Sequence, residues 1–342
     1  MLTTVDLRFI GGRRGPEGDL ARKAGIPFHA TPLPSLRDPD SKVAFLLHAL
    51  LLPAATIDAL WQLIRSRPNV ALTSGSFSAL PVLFAARLLR IPIYLWVGDA
   101  VPGRALRAVA GWASGIGLTF EAATQAMPRG KATMTGNPVR ASLLKWTKAE
   151  GRSALGLPAD GPVVFVTGGS QGSERINSAT SSALSRLIRR AAIVHHTGPA
   201  HLARAQAGRA LLPEADRDRY QPHGYLHEEM GAALAAADLV VGRAGSSSIA
   251  EPLAFGVPLI LIPFGAAMNA HQAANARAAA ELGAAVILSE SELDGDRLVS
   301  TVTGLLDDPA RLARMAASAR AAARPTAADT IARAVLALGG CT

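Results

Sequence analysis

The stretch VVFVTGGSQGSERIN, Val163 to Asn177, reads as a buried strand, a glycine-rich turn and the opening of a helix. Gly168 and Gly169 let the backbone turn sharply after the strand. The amides from Ser170 to Ser173 then precede a helix start, where N–H groups and the helix dipole favour an anion. The run is not G-x-G-x-x-G and carries no P-loop lysine, which argues against a nicotinamide site and against a nucleoside triphosphatase.

The same plan recurs downstream in ADLVVGRAGSSSIAEPLAFGVPLILIP, Ala237 to Pro263: strand, small-residue turn, helix, strand. Gly245, Ser246, Ser247 and Ser248 offer free amides and hydroxyls at a helix start. Glu251 follows in an otherwise apolar helix, with Pro252 directly after it, and a carboxylate there can accept both hydroxyls of a ribose. A third segment, GAAMNAHQAANARAAAELGAA, follows the next strand and supplies Asn269, His271, Gln272 and Asn275. Ligands of open parallel sheets lie beyond the carboxyl ends of the strands, where all three segments are placed.

Short apolar runs alternate with helix-like segments over the whole chain: DLRFI, NVALT, IPIYLWV and GIGLTF, then PVVFVT, AAIVHHT, ADLVVG, VPLILIP and AAVILS. Continuous apolar strands separated by helices indicate an α/β chain with parallel sheets covered on both faces. The apolar rhythm lapses between Thr135 and Pro162, which suggests two doubly wound domains of about five strands each. The expected division is residues 1–140, residues 141–325 and a terminal helix in 326–342 that could pack back on the first domain.

The chain has 342 residues, of which 49% are hydrophobic, enough for two cores. The lone Cys341 excludes an intrachain disulfide. A formal charge of +9 favours anionic partners. Aromatic residues make up only 5% and the arginines are scattered, so no nucleic-acid surface is expected. The apolar region Val43–Ile64 contains His48, Pro53 and Asp58, and Ile57, Leu60, Trp61 and Ile64 recur at helical spacing after Pro53. It reads as an amphipathic helix, either a core helix or one that touches a membrane surface, rather than a span. The Asp-x-Asp matches at 38–40, 216–218 and 294–296 sit in polar stretches, so no metal site is expected.

With GGSQGS, DLVVGRAGSSSIAE, HQAANARA and GNPVR (Gly136 to Arg140) in this order, the chain resembles the MurG family of bacterial N-acetylglucosamine transferases. The resemblance runs from about Leu7 to Leu338. It implies a GT-B fold, two doubly wound Rossmann-like domains facing a cleft, with UDP-N-acetylglucosamine held mainly by the second. It also implies an inverting hexosyltransferase with no cofactor or metal, a polyprenyl-diphosphate lipid acceptor, and a peripheral place on the anionic cytoplasmic face of the membrane.

The implied donor site comprises Arg140, Gly168, Gly169, Ser170, Gln171, Gly172, Arg243, Gly245, Ser246, Ser247, Ser248, Ile249, Ala250, Glu251, Gln272 and Asn275. Arg140 and Ser170 look like diphosphate and sugar contacts, Ser246 to Glu251 like the diphosphate and ribose cradle, and Gln272 and Asn275 like sugar-hydroxyl ligands. The uracil belongs near YLHEEM, with Leu226 and His227 as alternatives.

The first half departs from the family. VDLRFIGGRRGPEG resembles the family's second strand, so the first strand and its GGTGGH loop, which carries the usual candidate base, are expected to be missing. GGYVSGP becomes GSFSALP, leaving Gly75, Ser76 and Phe77 as the acceptor-side loop, and HEQN becomes WVGD, leaving Asp99 as the one candidate base. Two other readings suit the same motifs: a non-catalytic UDP-sugar-binding paralogue, and a UDP-sugar 2-epimerase.

Overall fold

The computed structural model describes residues 5–12, 17–32, 42–75, 77–265 and 270–340, with the backbone alone described for 42–49, 77 and 270. The elements run β1 (Phe9–Gly12), α1 (Glu17–Lys23), β2 (Phe28–Thr31), α2 (Lys42–Ser66), β3 (Ala71–Thr73), α3 (Leu80–Leu88), β4 (Ile93–Val97), α4 (Arg104–Val109), β5 (Gly115–Leu118) and β6 (Ala132–Met134). They continue with α5 (Lys148–Ala154), β7 (Val163–Thr167), α6 (Glu174–Leu187), β8 (Ala192–His196), α7 (Leu202–Ala210), β9 (Tyr220–His223), α8 (Glu229–Ala236), β10 (Leu239–Gly242) and α9 (Ser246–Ala254). The last are β11 (Leu259–Leu261), α10 (Ala270–Glu281), β12 (Ala285–Ile287), α11 (Gly295–Leu306), α12 (Pro309–Ala322) and α13 (Ala327–Leu338).

The chain divides into two compact units. One holds Met1–Gly98, Pro102–Thr135 and Asp329–Thr342, the other Asp99–Val101 and Gly136–Ala328. The main joint therefore falls before Gly136, so the GNPVR motif belongs to the second unit. Most of α13 belongs to the first.

In the second unit six parallel strands lie in the order β12-β11-β10-β7-β8-β9. Counted from β7, this is the 3-2-1-4-5-6 arrangement of a Rossmann sheet, with its reversal between β7 and β10. There Leu239 to Gly242 pair with Val164 to Thr167. All five residues of β7 are buried because helices cover both faces, which explains the unbroken apolar run. Val164, Val166, Ile193, Val241 and Ile260 join Ile176 and Leu187 of α6 in one core. The helices start on local signals: Ser173 caps α6, Asp294 caps α11, and Asp308 with Pro309 opens α12.

The first unit holds a four-stranded parallel sheet, β3-β4-β5-β6, and a separate two-stranded parallel sheet, β1-β2. The expectation of one five-stranded sheet on each side is thus corrected to six strands in one unit and four plus two in the other. Strands β2, β6 and β9 lie at sheet edges and are only partly covered, and their short sequences FHAT, ATM and YQPH carry no apolar run.

Helix α2 also departs from expectation, running through Pro53 instead of starting after it. Two readings stand open for its apolar stripe, and most of the stripe faces outward, with Ile57 68%, Trp61 56% and Ile64 53% exposed, while Leu60 packs against a core that includes Ala59 and Leu63, and Ala55 is buried. Small residues on the inner face let α2 approach its neighbour α3 closely. Among the described residues no helix is long and apolar enough to cross a membrane.

The second core encloses a polar group. His195 Nδ1 bonds the Tyr220 hydroxyl at 2.8 Å and its Nε2 bonds Asn177 Oδ1 at 3.0 Å. Burial, with the nearby His196 and His201 charges, lowers the His195 pKa from 6.5 to about 3. The unfolded chain therefore binds a proton that the folded one refuses between those values, and stability falls as pH drops through that window. Thermal melts at pH 7.5 and 5.0 should show a smaller acid-induced loss for His195→Gln than for the wild type. An equal loss in both would remove His195 as the source.

Candidate functional site

The reversal of strand order brings the loops after β7 and β10 side by side, because Thr167 is paired with Gly242. In the first loop Gly169 (φ +84°) and Gly172 (φ +78°) take left-handed backbone, and a Cβ on Gly172 would overlap the Thr197 carbonyl. Gly169 N–H donates to Thr167 Oγ1 at 3.1 Å and Gly172 N–H to the Gly169 carbonyl at 2.9 Å. The Gly172 amide is therefore engaged in the turn. The amides of Ser170, Gln171 and Ser173 have no backbone partner among the described residues, and Ser170 and Gln171 are exposed.

Helix α9 begins after Gly245 with no side-chain cap, so the amides of Ser246, Ser247 and Ser248 are the unpaired donors of its first turn. Ser246 and Ser248 are half-buried and Ser247 is exposed, its hydroxyl 3.4 Å from Asn137 Nδ2. Ile249 is buried in the core and Ala250 half-buried. The turn amides before α6 and the helix-start amides of α9 thus stand at the switch point, suited to an anion with more than one charged group.

Glu251 lies one and a half turns into α9, half-buried, with no hydrogen bond or ion pair to any described residue. Burial pushes its carboxyl pKa up, opposed by the charge of Arg140, which is exposed at the end of GNPVR. A buried acceptor without a donor is costly, and a ligand with vicinal hydroxyls would satisfy it. Gln272 is half-buried; its Oε1 accepts from Phe264 N–H at 3.1 Å, and its amide nitrogen has no described partner.

Two residues expected at the donor have other work. Asn275 is fully buried: its Oδ1 accepts from Ala100 N–H at 2.7 Å and its Nδ2 donates to Asp99 Oδ1 at 2.9 Å and to the Ala244 carbonyl at 3.1 Å. Both of its N–H donors are spent and the side chain is fully buried, so it does not face a sugar hydroxyl. It fastens the segment Asp99–Val101, helped by His271 Nδ1, which lies 2.5 Å from the Val101 carbonyl. Asp99, the candidate base, is correspondingly held by Asn275.

Arg243 is likewise only 8% exposed and bonds Ser173 Oγ, Glu290 and the Ile262 carbonyl instead of projecting outward. Sequence reasoning missed Glu290. The signal for it was position, since it is the first charged residue beyond the carboxyl end of β12.

Around the ends of β8 and β9, His196 is buried with Nδ1 3.2 Å from Thr167 Oγ1, and the Nε2 atoms of His196 and His223 have no partner among the described residues. Burial, and for His196 the charge of His223, depresses the pKa of both imidazoles; Glu229 opposes the shift at His223. Tyr225 lies edge-on to His196, 5.7 Å between centroids, and 4.5 Å from the His227 ring. Leu226 is buried and His227 exposed.

In the first unit Gly75 has φ +73°, and a Cβ there would overlap Leu106. Phe77 opens a short 3-10 turn, and its side chain lies outside the described set. Ser76, Asn269 and Asp38–Asp40 lie outside the described residues altogether. Among the described residues no three His, Cys, Asp or Glu side chains are grouped as metal ligands would be.

Comparison with known proteins places these features. Residues 163–331 match the glycosyltransferase family 28 C-terminal domain and residues 2–117 the family 28 N-terminal domain. A protein of Halalkalibacterium halodurans named UDP-N-acetylglucosamine--N-acetylmuramyl-(pentapeptide) pyrophosphoryl-undecaprenol N-acetylglucosamine transferase is 33% identical over 96% of this chain and 89% of its own length. Its namesake from Desulforudis audaxviator is 35% identical over 96% of this chain and 88% of its own. The crystal structure of Acinetobacter baumannii MurG superposes with a TM-score of 0.74, at 24% identity, over 96% of this chain and 90% of that one. With both halves matched in order and the relatives covered almost end to end, this chain belongs to the MurG family of family 28 glycosyltransferases.

Proposed function

We propose that this protein is a hexosyltransferase that moves N-acetylglucosamine from UDP-N-acetylglucosamine to a polyprenyl-diphosphate-linked muramyl-pentapeptide, the step that yields lipid II, with inversion at the anomeric carbon. The observation that carries the reading is Glu251, a half-buried carboxylate with no partner among the described residues, in the helix whose uncapped start carries the amides of Ser246 to Ser248. The ribose hydroxyls would donate to Glu251 and the diphosphate would meet the amides of Ser246 to Ser248 and of the Ser170–Gln171 turn. As the acceptor hydroxyl gives up its proton to a general base and attacks the anomeric carbon, the bond to the diphosphate oxygen breaks. These amides and Arg140 then receive the negative charge that develops on the departing UDP.

Titration calorimetry with UDP-N-acetylglucosamine tests the donor site. Glu251→Gln should weaken binding at least about tenfold, as loss of a charge-assisted hydrogen bond of roughly 1.5–3 kcal/mol implies. Because the folded carboxyl has a raised pKa, its ionised form is costly at neutral pH, and the same variant should melt no lower than the wild type. Wild-type affinity should also decline on acidification with a midpoint above the ordinary 4.5, a titration that Glu251→Gln lacks. Equal binding by both proteins would refute the placement. Transfer of labelled sugar to a lipid-diphosphate acceptor separates an enzyme from a sugar-nucleotide binder.

We further infer that the protein reaches its acceptor from the cytoplasmic face of an anionic membrane. In the first unit α2 exposes Leu50, Ile57, Trp61 and Ile64, and α3 exposes Phe84 and Leu88. Arg65 stacks over Trp61, 5.4 Å from the ring, and Arg87 and Arg90 are exposed nearby in sequence to Leu88. Apolar side chains interspersed with arginine suit insertion at a negatively charged interface. In sedimentation with phosphatidylglycerol vesicles, the double variant Trp61→Asp/Leu88→Asp should lose most of its binding, and salt should weaken the wild type. Undiminished binding by the double variant would exclude this face.

A further inference from the structure

The donor loops of the second unit meet at one buried ion pair. Arg243 leaves the end of β10 and bonds Glu290 Oε1 at 2.5 Å, Ser173 Oγ at 2.7 Å and the Ile262 carbonyl at 3.2 Å, with its guanidinium 5.0 Å from the centre of the Phe264 ring. Glu290, beyond β12, accepts Gly265 N–H on Oε2 at 2.7 Å, and its carbonyl accepts Arg175 Nη2 at 2.9 Å. The side chains of Arg243 and Glu290 are 9% and 14% exposed. The Glu290 carboxylate thereby ties the segment 263–265, whose Phe264 amide bonds Gln272, to Arg243 and through it to Ser173, the last residue of the glycine turn, while its backbone carbonyl holds Arg175 in the first turn of α6.

We propose that the Arg243–Glu290 pair is a clasp that sets the spacing of the glycine turn and the 263–265 segment for the sugar nucleotide, making Glu290 a positioning residue. The inference rests on the donor reading given above. Arg243 contributes by holding Ser173 and Glu290 rather than by meeting the diphosphate, since its Nη2 donates to both of them and its Nη1 to the Ile262 carbonyl. The network is closed: a carboxylate with both oxygens bonded, and an arginine whose neighbours come from three different loops. Burial raises the Glu290 pKa, but the bonds from Arg243 and the Gly265 amide, with the charges of Arg243 and Arg175, outweigh it and hold the carboxyl below its ordinary range. The clasp accordingly stays charged throughout the neutral range.

The sign of the Glu290→Gln effect distinguishes the two parts that Arg243 could play. The substitution keeps an acceptor for Gly265 and releases Arg243. If Arg243 positions, the released loops spread and the Kd for UDP-N-acetylglucosamine rises about tenfold or more, as small misplacements of binding groups do. If Arg243 binds phosphate directly, release leaves affinity unchanged or tightens it.

The experiment measures amide hydrogen exchange of the ligand-free protein and calorimetric donor binding for the wild type, Glu290→Gln and Glu290→Asp. The aspartate guards against a glutamine variant that fails to fold around an unpaired arginine. Faster exchange at residues 170–173 and 264–265, with weakened binding in the glutamine protein and partial recovery in the aspartate protein, is the expected result. Donor affinity within twofold of the wild type, or unchanged exchange in both segments, overturns the clasp. A wild type that does not bind the nucleotide overturns the donor reading instead, while the ligand-free exchange still decides whether the clasp sets the loops.

Discussion

The parallel pairing of β7 with β10 is the contact on which the rest of the site depends. Strands on either side of it run outward in opposite order, so the connections after β7 and β10 leave in opposite directions and a crevice opens between them. The glycine turn before α6 and the uncapped start of α9 lie at that crevice, and both carry amides with no backbone partner among the described residues. Small residues are required for this packing. Gly172 and Gly198 face each other across adjacent loops, where a side chain on either would strike the other's backbone. The local cost of left-handed glycines and uncapped helix ends is borne by a core whose central strands are wholly buried.

Polar groups divide into two kinds in this unit. Some are closed networks that fix geometry: His195 with Tyr220 and Asn177, Asn275 with Asp99 and Ala100, and Arg243 with Ser173 and Glu290. Others are open, with no partner among the described residues: Glu251, the amides of Ser246 to Ser248, and the amide nitrogen of Gln272. Buried polar groups are normally satisfied, so the open set has bonding capacity left for a ligand and the closed set holds the surrounding loops in shape. This division assigns Arg243 and Asn275 to the framework and keeps Glu251, Ser170 and Gln272 as groups that can meet a sugar nucleotide.

The apolar rhythm identified every central strand but none of β2, β6 and β9. A strand at a sheet edge is shielded on fewer sides and needs no run of valines and isoleucines, so FHAT, ATM and YQPH look like loops. Helix α2 shows a related limit. The spacing of Ile57, Leu60, Trp61 and Ile64 is helical, but periodicity alone does not say which stripe faces inward. Alanines at 55 and 59 turned out to be the inner contact because they allow α3 close approach, leaving the larger residues in solvent.

By itself the sequence determined the α/β class, the two-part organisation, the three polar loops after β7, β10 and β11, and the family, because glycine turns and buried parallel strands leave local, ordered patterns. Only the tertiary structure decided which loop residues are free to bind and which are already bonded. Asp99 and Asn275 are 176 residues apart in the chain, and Arg243 and Glu290 are 47 apart. A hydrogen bond between such positions leaves no local pattern, since it depends on where folding carries each side chain. The turn at Gly168 to Ser173 was visible from its glycines, and the carboxylate that holds its far end emerged only when β12 took its place at the edge of the sheet.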